Sequence, residues 1–268
     1  MSYFNYYRKS NLFHGSMMNL MGTRLDVVMS GNESLLTEVW RRIVAETERL
    51  HRMLNRFDPA SDISCINHKA VAHPVALSDE LWNMLTDIKK YHRYTLGYFD
   101  ITLRDFNRVI LDERCRTVAF AEKKISLDLG GYAKGYALEK MREIMTTAGV
   151  TQALVNFGNS SVLALGAHPH GNYWGVGVDD PFGTGQQLKT YQLRNQSLST
   201  SGNTPQHTEH IINPHSGKYI SEKKLVSVVS SNAVEAEVLS TAIMIADKNS
   251  ILFIKKMFEN VFFDIFVV

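Results

Sequence analysis

Residues 125–140 read ISLDLGGYAKGYALEK, an apolar run carrying one acid, Asp128, then a glycine pair, a lysine, a third glycine and a helical pattern. The alternation of Ile125, Leu127 and Leu129 predicts a strand over 125–129, and the apolar spacing beyond it predicts a helix over about 134–147. Gly130 and Gly131 permit a tight turn between them, and Gly135 lets a helix approach its strand closely. A strand that feeds a helix through glycines also places backbone donors and a lysine where a phosphate can sit. The spacing GGxxxG is neither the P-loop pattern nor the dinucleotide pattern G-x-G-x-x-G, so the stretch alone leaves packing and phosphate binding both open.

Outward from this turn, strands and helices follow in no regular βαβ order, which predicts an α+β fold. LDVVMSG at 25–31 reads as a strand, and 34–54 as a helix with Leu35, Leu36, Val39, Ile43, Leu50 and Leu54 on one broad face. NRFDPASDISCINH at 55–68 reads as turn chemistry. Ser78 caps a helix running to about Leu96, with Gly97 just past its end. Strands are expected near 117–119, across 153–165, at 173–178, 188–201 and 217–230, and a helix over 232–247. The first 18 residues read as a loosely docked arm, leaving one domain over 19–268.

The bulk numbers exclude several classes. The chain has 268 residues, 44% of them hydrophobic, and a formal charge of +2. That composition supports a sizeable core and gives no electrostatic case for nucleic acid. Two cysteines, Cys65 and Cys115, make no disulfide framework and read as buried thiols. No run of eighteen apolar residues suggests a membrane span; the C-terminal ILFIKKMFENVFFDIFVV is broken by charges and reads as a core helix and strand. The N-terminus lacks the order of a signal peptide, so the expectation is a soluble cytoplasmic protein, or a periplasmic or membrane-associated one if a leader has been removed.

Two further stretches carry chemistry. In 197–220, SLSTSGNTPQHTEHIINPHSGKYI, hydroxyls surround a glycine turn and His207, His210 and His215 share one loop, at a spacing that matches no closed zinc set. In SSNAVEAEVLSTAIMIAD, Glu237 and Thr241 lie four apart on one helix face. They suit either a hard cation or a solvated edge beside Val234, Val238 and Ile245. Glu235, three beyond Asn232, reads as part of the helix cap.

Taken together, GYFD (97–100), SLDLGGYAKGYALEK (126–140), VNFGNSSVLALG (155–166), STSGN (199–203), HIINPHSG (210–217) and VEAEVLSTA (234–242) resemble the ApbE family of FAD:protein FMN transferases. The resemblance runs from Met21-Gly22-Thr23 to about Ala246. It implies a two-lobed single domain with a flavin cleft, and an enzyme that cleaves FAD with Mg²⁺ and links FMN through a phosphoester to a Thr or Ser of an acceptor protein. It puts Gly131 (through its carbonyl), Glu237 and Thr241 on the metal, and Met21, Phe57, Tyr98, Phe99, Asp100, Asp128, Lys134 and Ile212 on FAD. His210 becomes the acid/base residue.

The sequence departs from the family pattern at Glu237 and Asn213, where aspartates are usual, at Asn159-Ser160, where glycine-aspartate is usual, and at Phe57, where a tyrosine is familiar. A non-catalytic FAD-binding protein is the alternative these departures leave, and a pyrophosphatase releasing FMN and AMP without a protein acceptor is a third reading that uses the same site. FAD is expected between the 128–135 turn and the 199–217 loop.

Overall fold

A computed structural model describes residues 2–183, 185–205 and 211–267. The chain opens with β1 (Ser2–Tyr7), β2 (Leu12–Leu20) and β3 (Thr23–Ser30), followed by α1 (Glu33–Leu54) and α2 (Asp62–Lys69). Next come β4 (Val75–Ala76), α3 (Asp79–Tyr94), β5 (Val109–Asp112), β6 (Thr117–Phe120) and α4 (Ala133–Thr147). The second half holds β7 (Ala153–Phe157), β8 (Ser161–Leu165), β9 (Trp174–Asp179), β10 (Gln187–Leu193) and β11 (Gln196–Gly202). It closes with β12 (Ile212–Asn213), β13 (Lys218–Tyr219), β14 (Lys224–Ser230), α5 (Ala233–Ile245), α6 (Lys248–Met257) and β15 (Phe262–Val267).

Eight strands form one sheet in the order β1-β2-β3-β7-β8-β11-β14-β15, antiparallel at every step. The α+β expectation therefore stands. Apolar side chains of α1, α4 and the first turns of α5 share one cluster with β2, β3 and β7. The β9–β10 hairpin packs Trp174, Val178, Tyr191 and Leu193 against Val162, Leu198, Leu225 and Val229. The small β4-β6-β5 sheet, with α2 and α3, forms a second lobe whose buried residues join the first cluster.

Local chemistry explains most boundaries. Asn32 accepts from the N–H groups of Ser34 and Leu35 at the start of α1, and Ser78 from Leu81 at the start of α3. Each satisfies helix donors that have no carbonyl of their own. Gly97 follows α3 at φ +79°, the left-handed conformation glycine adopts without penalty.

Five expectations are corrected. The first 18 residues are no arm: β1 pairs with β2 and β2 with β3, so they are one end of the main sheet. Residues 62–69, within the stretch read as turn chemistry, are α2, begun by the Ser61 hydroxyl accepting from Ser64 N–H. Residues 125–129 form no strand. Their alternation is real, with Ile125, Leu127 and Leu129 all buried. However, the Asn67 side-chain amide pairs both backbone groups of Leu127, and Asp128 N–H donates to the Ile101 carbonyl at 2.7 Å, so side chain and loop take the place of a neighbouring strand. At the C-terminus, β15 is an edge strand and α6 buries only Ile254, so that pair is peripheral. Cys65 is partly buried and Cys115 exposed, against the reading of both as buried thiols.

Candidate functional site

Helices α4 and α5 meet because Gly135 has no side chain. A Cβ there would come within 2.7 Å of the Ala233 carbonyl oxygen and 2.8 Å of the Val234 Cα. Backbone cannot give way as a flexible side chain can, so only glycine allows this approach. The Glu139 carboxylate of α4 then accepts from Ala233 N–H at 2.6 Å, and Asn232 accepts from Glu235 N–H at 3.0 Å. Ser230 donates to the Glu235 carboxylate at 2.5 Å. The start of α5 is fixed, and with it the direction of Glu237 and Thr241.

Glu237 is only 3% exposed, which removes the solvated-edge alternative. Its carboxylate is bonded to the Lys134 ammonium from the first turn of α4 and accepts from the Ser161 hydroxyl of β8 at 3.3 Å. One turn on, Thr241 donates its hydroxyl proton to the Glu237 carbonyl at 3.2 Å, and Ser201 of β11 lies 3.4 Å from it. Ser199 and Ser201 reach Ser240 at 3.1 and 2.8 Å. The two-residue period of β11 turns these two serines toward α5 and Leu198 toward the hairpin.

Opposite Thr241 stands Gly131. A Cβ there would lie 3.4 Å from the Phe99 ring and 3.5 Å from Thr241 Oγ1. The bare backbone thus leaves space beside the Thr241 hydroxyl, and Gly131, Glu237 and Thr241 together border one cradle. Hard divalent cations take such oxygen donors, and Mg²⁺ commonly uses one or two carboxylates, the remaining positions going to water and substrate phosphate. The donor set fits a hard cation. Among the described residues no group of three or more His, Cys, Asp or Glu side chains is placed to hold a metal ion.

This cradle is the floor of a cleft of about 1110 Å³. Met21, Tyr98, Phe99, Asp100, Asp128, Gly131, Lys134, Ile212, Glu237 and Thr241 all line it, so ten of the twelve sequence-derived site residues come together. Tyr98 stacks on His215 with ring centroids 4.5 Å apart and donates its hydroxyl to Asp247 at 2.8 Å. That carboxylate is held well below the ordinary range, at about 2, chiefly by the Ser250 N–H and next by the Tyr98 hydroxyl. Asp128 pairs with Arg56 at 3.1 Å and accepts from Gly130 N–H at 3.0 Å, which holds the glycine turn in shape.

Two residues stand differently from expectation. Asp100 lines the cleft, yet both its oxygens are committed, one to Thr102 and the other to Phe106 N–H at 2.8 Å; its carboxylate shapes the 100–106 loop. Phe57 is 79% exposed and does not line the cleft; the Arg56 guanidinium covers its ring at 4.5 Å. His210 lies outside the described residues, as does His207. Of the departures from the family pattern, Asn213 accepts from His215 N–H at 2.9 Å, and Asn159 turns the β7–β8 hairpin at φ +58°, a conformation asparagine tolerates.

Sequence reasoning missed Ser161, Ser240, Arg56 and Asp247. The two serines lay inside quoted motifs, but only packing shows which hydroxyls face Glu237 and Thr241. Arg56 and Asp247 carried no signal, because each meets its partner across a long stretch of chain.

The geometry has relatives. A family model described as the ApbE family matches residues 21–109 and 103–261. The chain is 26% identical to an FAD:protein FMN transferase of Klebsiella pneumoniae, over 83% of this chain and 79% of that one. To an FAD:protein FMN transferase of Chlamydia muridarum it is 25% identical, over 73% of this chain and 72% of the relative. In structure it is similar to the ApbE protein of Thermotoga maritima, with TM-score 0.82, 21% identity and 93% of each chain covered. It is also similar to the flavin transferase ApbE of Vibrio cholerae, with TM-score 0.79, 16% identity and 95% and 92% covered. At these identities the structural likenesses speak for the fold.

Proposed function

The chain belongs to the ApbE family, and from that premise we propose that it is a Mg²⁺-dependent FAD:protein FMN transferase acting on a Thr or Ser of an acceptor protein. The observation that carries this is the meeting of Gly131, Lys134, Glu237 and Thr241 on the floor of one cleft. Two separate stretches of chain there supply an oxygen cradle beside an ammonium, the combination a pyrophosphate requires. Glu237, Thr241 and the Gly131 carbonyl would hold the cation. Bound there, Mg²⁺ would screen the pyrophosphate charge and stabilise the departing phosphate.

The chain's own groups do the rest. Lys134 places a positive charge beside the phosphates, and Tyr98, already stacked on His215, offers an aromatic face to flavin or adenine. His210 accepts the acceptor hydroxyl's proton. The hydroxyl oxygen then bonds to the FMN phosphorus, the phosphoanhydride bond to AMP breaks, and AMP leaves.

The test is purified protein given FAD and Mg²⁺, with and without a peptide bearing an acceptor threonine. AMP release with FMN covalently on the peptide is the expected result. Free FMN and AMP would make the protein a pyrophosphatase, and intact bound FAD a binding protein. His210→Ala should retain FAD binding and lose about 10²–10⁴-fold in transfer rate, the usual share of a general base. Equal turnover would remove His210 from the reaction.

A further inference from the structure

The pairing at the cleft floor conflicts with the two roles just assigned. The carboxylate that would hold the cation is bonded to the ammonium that would meet the pyrophosphate. The Glu237 side chain is 3% exposed and that of Lys134 19%. A carboxylate so deep needs a countercharge, and among the described residues its ion-pair partner is Lys134 alone. While that bond lasts, the lysine uses up the carboxylate's charge and stands where a divalent cation would approach.

We propose that Lys134 is a positioning residue that holds the Glu237 carboxylate in place of the divalent cation, and that the pyrophosphate of FAD draws it away, so that cation and FAD are taken up together. The inference rests on the metal reading given under the proposed function. Both charges keep a partner throughout: ammonium with carboxylate before the exchange, ammonium with pyrophosphate and carboxylate with cation after it. The side chains suit such an exchange. Lysine is a point charge on a flexible four-carbon stem, able to change partner without backbone movement. Glu237 keeps its orientation when the lysine leaves, because Ser161 bonds the other carboxylate oxygen at 3.3 Å and α5 is anchored at its start by Asn232 and Glu139.

The experiment titrates Mn²⁺, followed by the loss of its free-ion paramagnetic resonance signal, into wild type, Lys134→Met, Lys134→Arg and Glu237→Asp, each with and without FAD. Without FAD, Lys134→Met binds Mn²⁺ roughly tenfold or more tightly than wild type, in the range typical of coupled sites. Lys134→Arg, which keeps the countercharge, shows no such gain. Glu237→Asp keeps the charge but shortens the reach to Lys134, and it also binds more tightly than wild type; this serves if the methionine variant fails to fold. FAD raises the Mn²⁺ affinity of wild type by a larger factor than that of Lys134→Met. Equal or weaker Mn²⁺ binding by folded Lys134→Met or Glu237→Asp overturns the exchange while leaving the metal site intact. Absence of Mn²⁺ binding by wild type and every variant, even with FAD, overturns the metal site itself and the exchange with it.

Discussion

Helices α1 and α5 belong to one sheet-and-helix core but were built under opposite constraints. Of the 22 residues of α1, eight are buried along a single stripe, and its charged side chains point outward. In α5 eleven of 13 residues are buried, Glu237 and Ser240 among them. On a one-sided helix a polar residue needs no explanation. On a helix buried all round each one must be paired, so the polar residues of α5 mark the site.

The largest effect that would sharpen this contrast is at Glu237. Replacing it by alanine leaves the Lys134 ammonium partly buried without its partner, and removing one member of a buried pair costs about 3–5 kcal/mol. Urea unfolding at neutral pH measures it; a loss below about 1 kcal/mol, the worth of an exposed pair, would break the comparison.

Next comes Gly135→Ala, whose methyl group meets the α5 backbone at 2.7 Å. Overpacking of this kind costs about 1–3 kcal/mol. Because it pushes α5 away from α4, it should also weaken FAD binding, measured by flavin fluorescence. Unchanged stability would mean that α4 and α5 can separate freely.

At the far end of α5, the Asp247 carboxyl is lowered from 3.8 to about 2, chiefly by Ser250 N–H and then by Tyr98. A carboxylate depressed on folding contributes stability that is present above the unfolded value of 3.8 and is lost as pH falls through about 2. Tyr98→Phe removes one of its partners. The variant's urea midpoint should lie below that of wild type near neutral pH, with the two converging as pH falls toward the folded value. Curves separated by a constant amount would show that the hydroxyl does not act through Asp247.

The smallest effect belongs to α1. Glu38 and Arg41 pair at 3.4 Å with side chains 61% and 72% exposed. Glu38→Gln should change stability by no more than about 0.5 kcal/mol, since solvent screens such pairs. A loss approaching that of Glu237→Ala would erase the distinction between the two helices.

The sequence by itself determined what depends on neighbours along the chain. Ser78 as a cap, the stripe of α1, the glycine after α3 and the boundaries of α4 and α5 were legible, because helix periodicity and capping are satisfied within a few residues. The ordered motifs were legible too, and they led to the family. Only tertiary structure decided the rest. The alternation of Ile125, Leu127 and Leu129 promised a strand, but a strand needs a partner, and Asn67, 60 residues away from Leu127, supplied the hydrogen bonds instead. The β1–β2 hairpin lacked a clear apolar pattern, and its place was set by β2 pairing with β3. Whether Glu237 faced solvent or the core was open from its spacing. It was settled by Gly135, which brings α4 against α5 and so delivers Lys134 to a carboxylate 103 residues further along the chain. Local rules fix which face a side chain takes; what lies opposite that face is set by packing between segments that the linear sequence keeps apart.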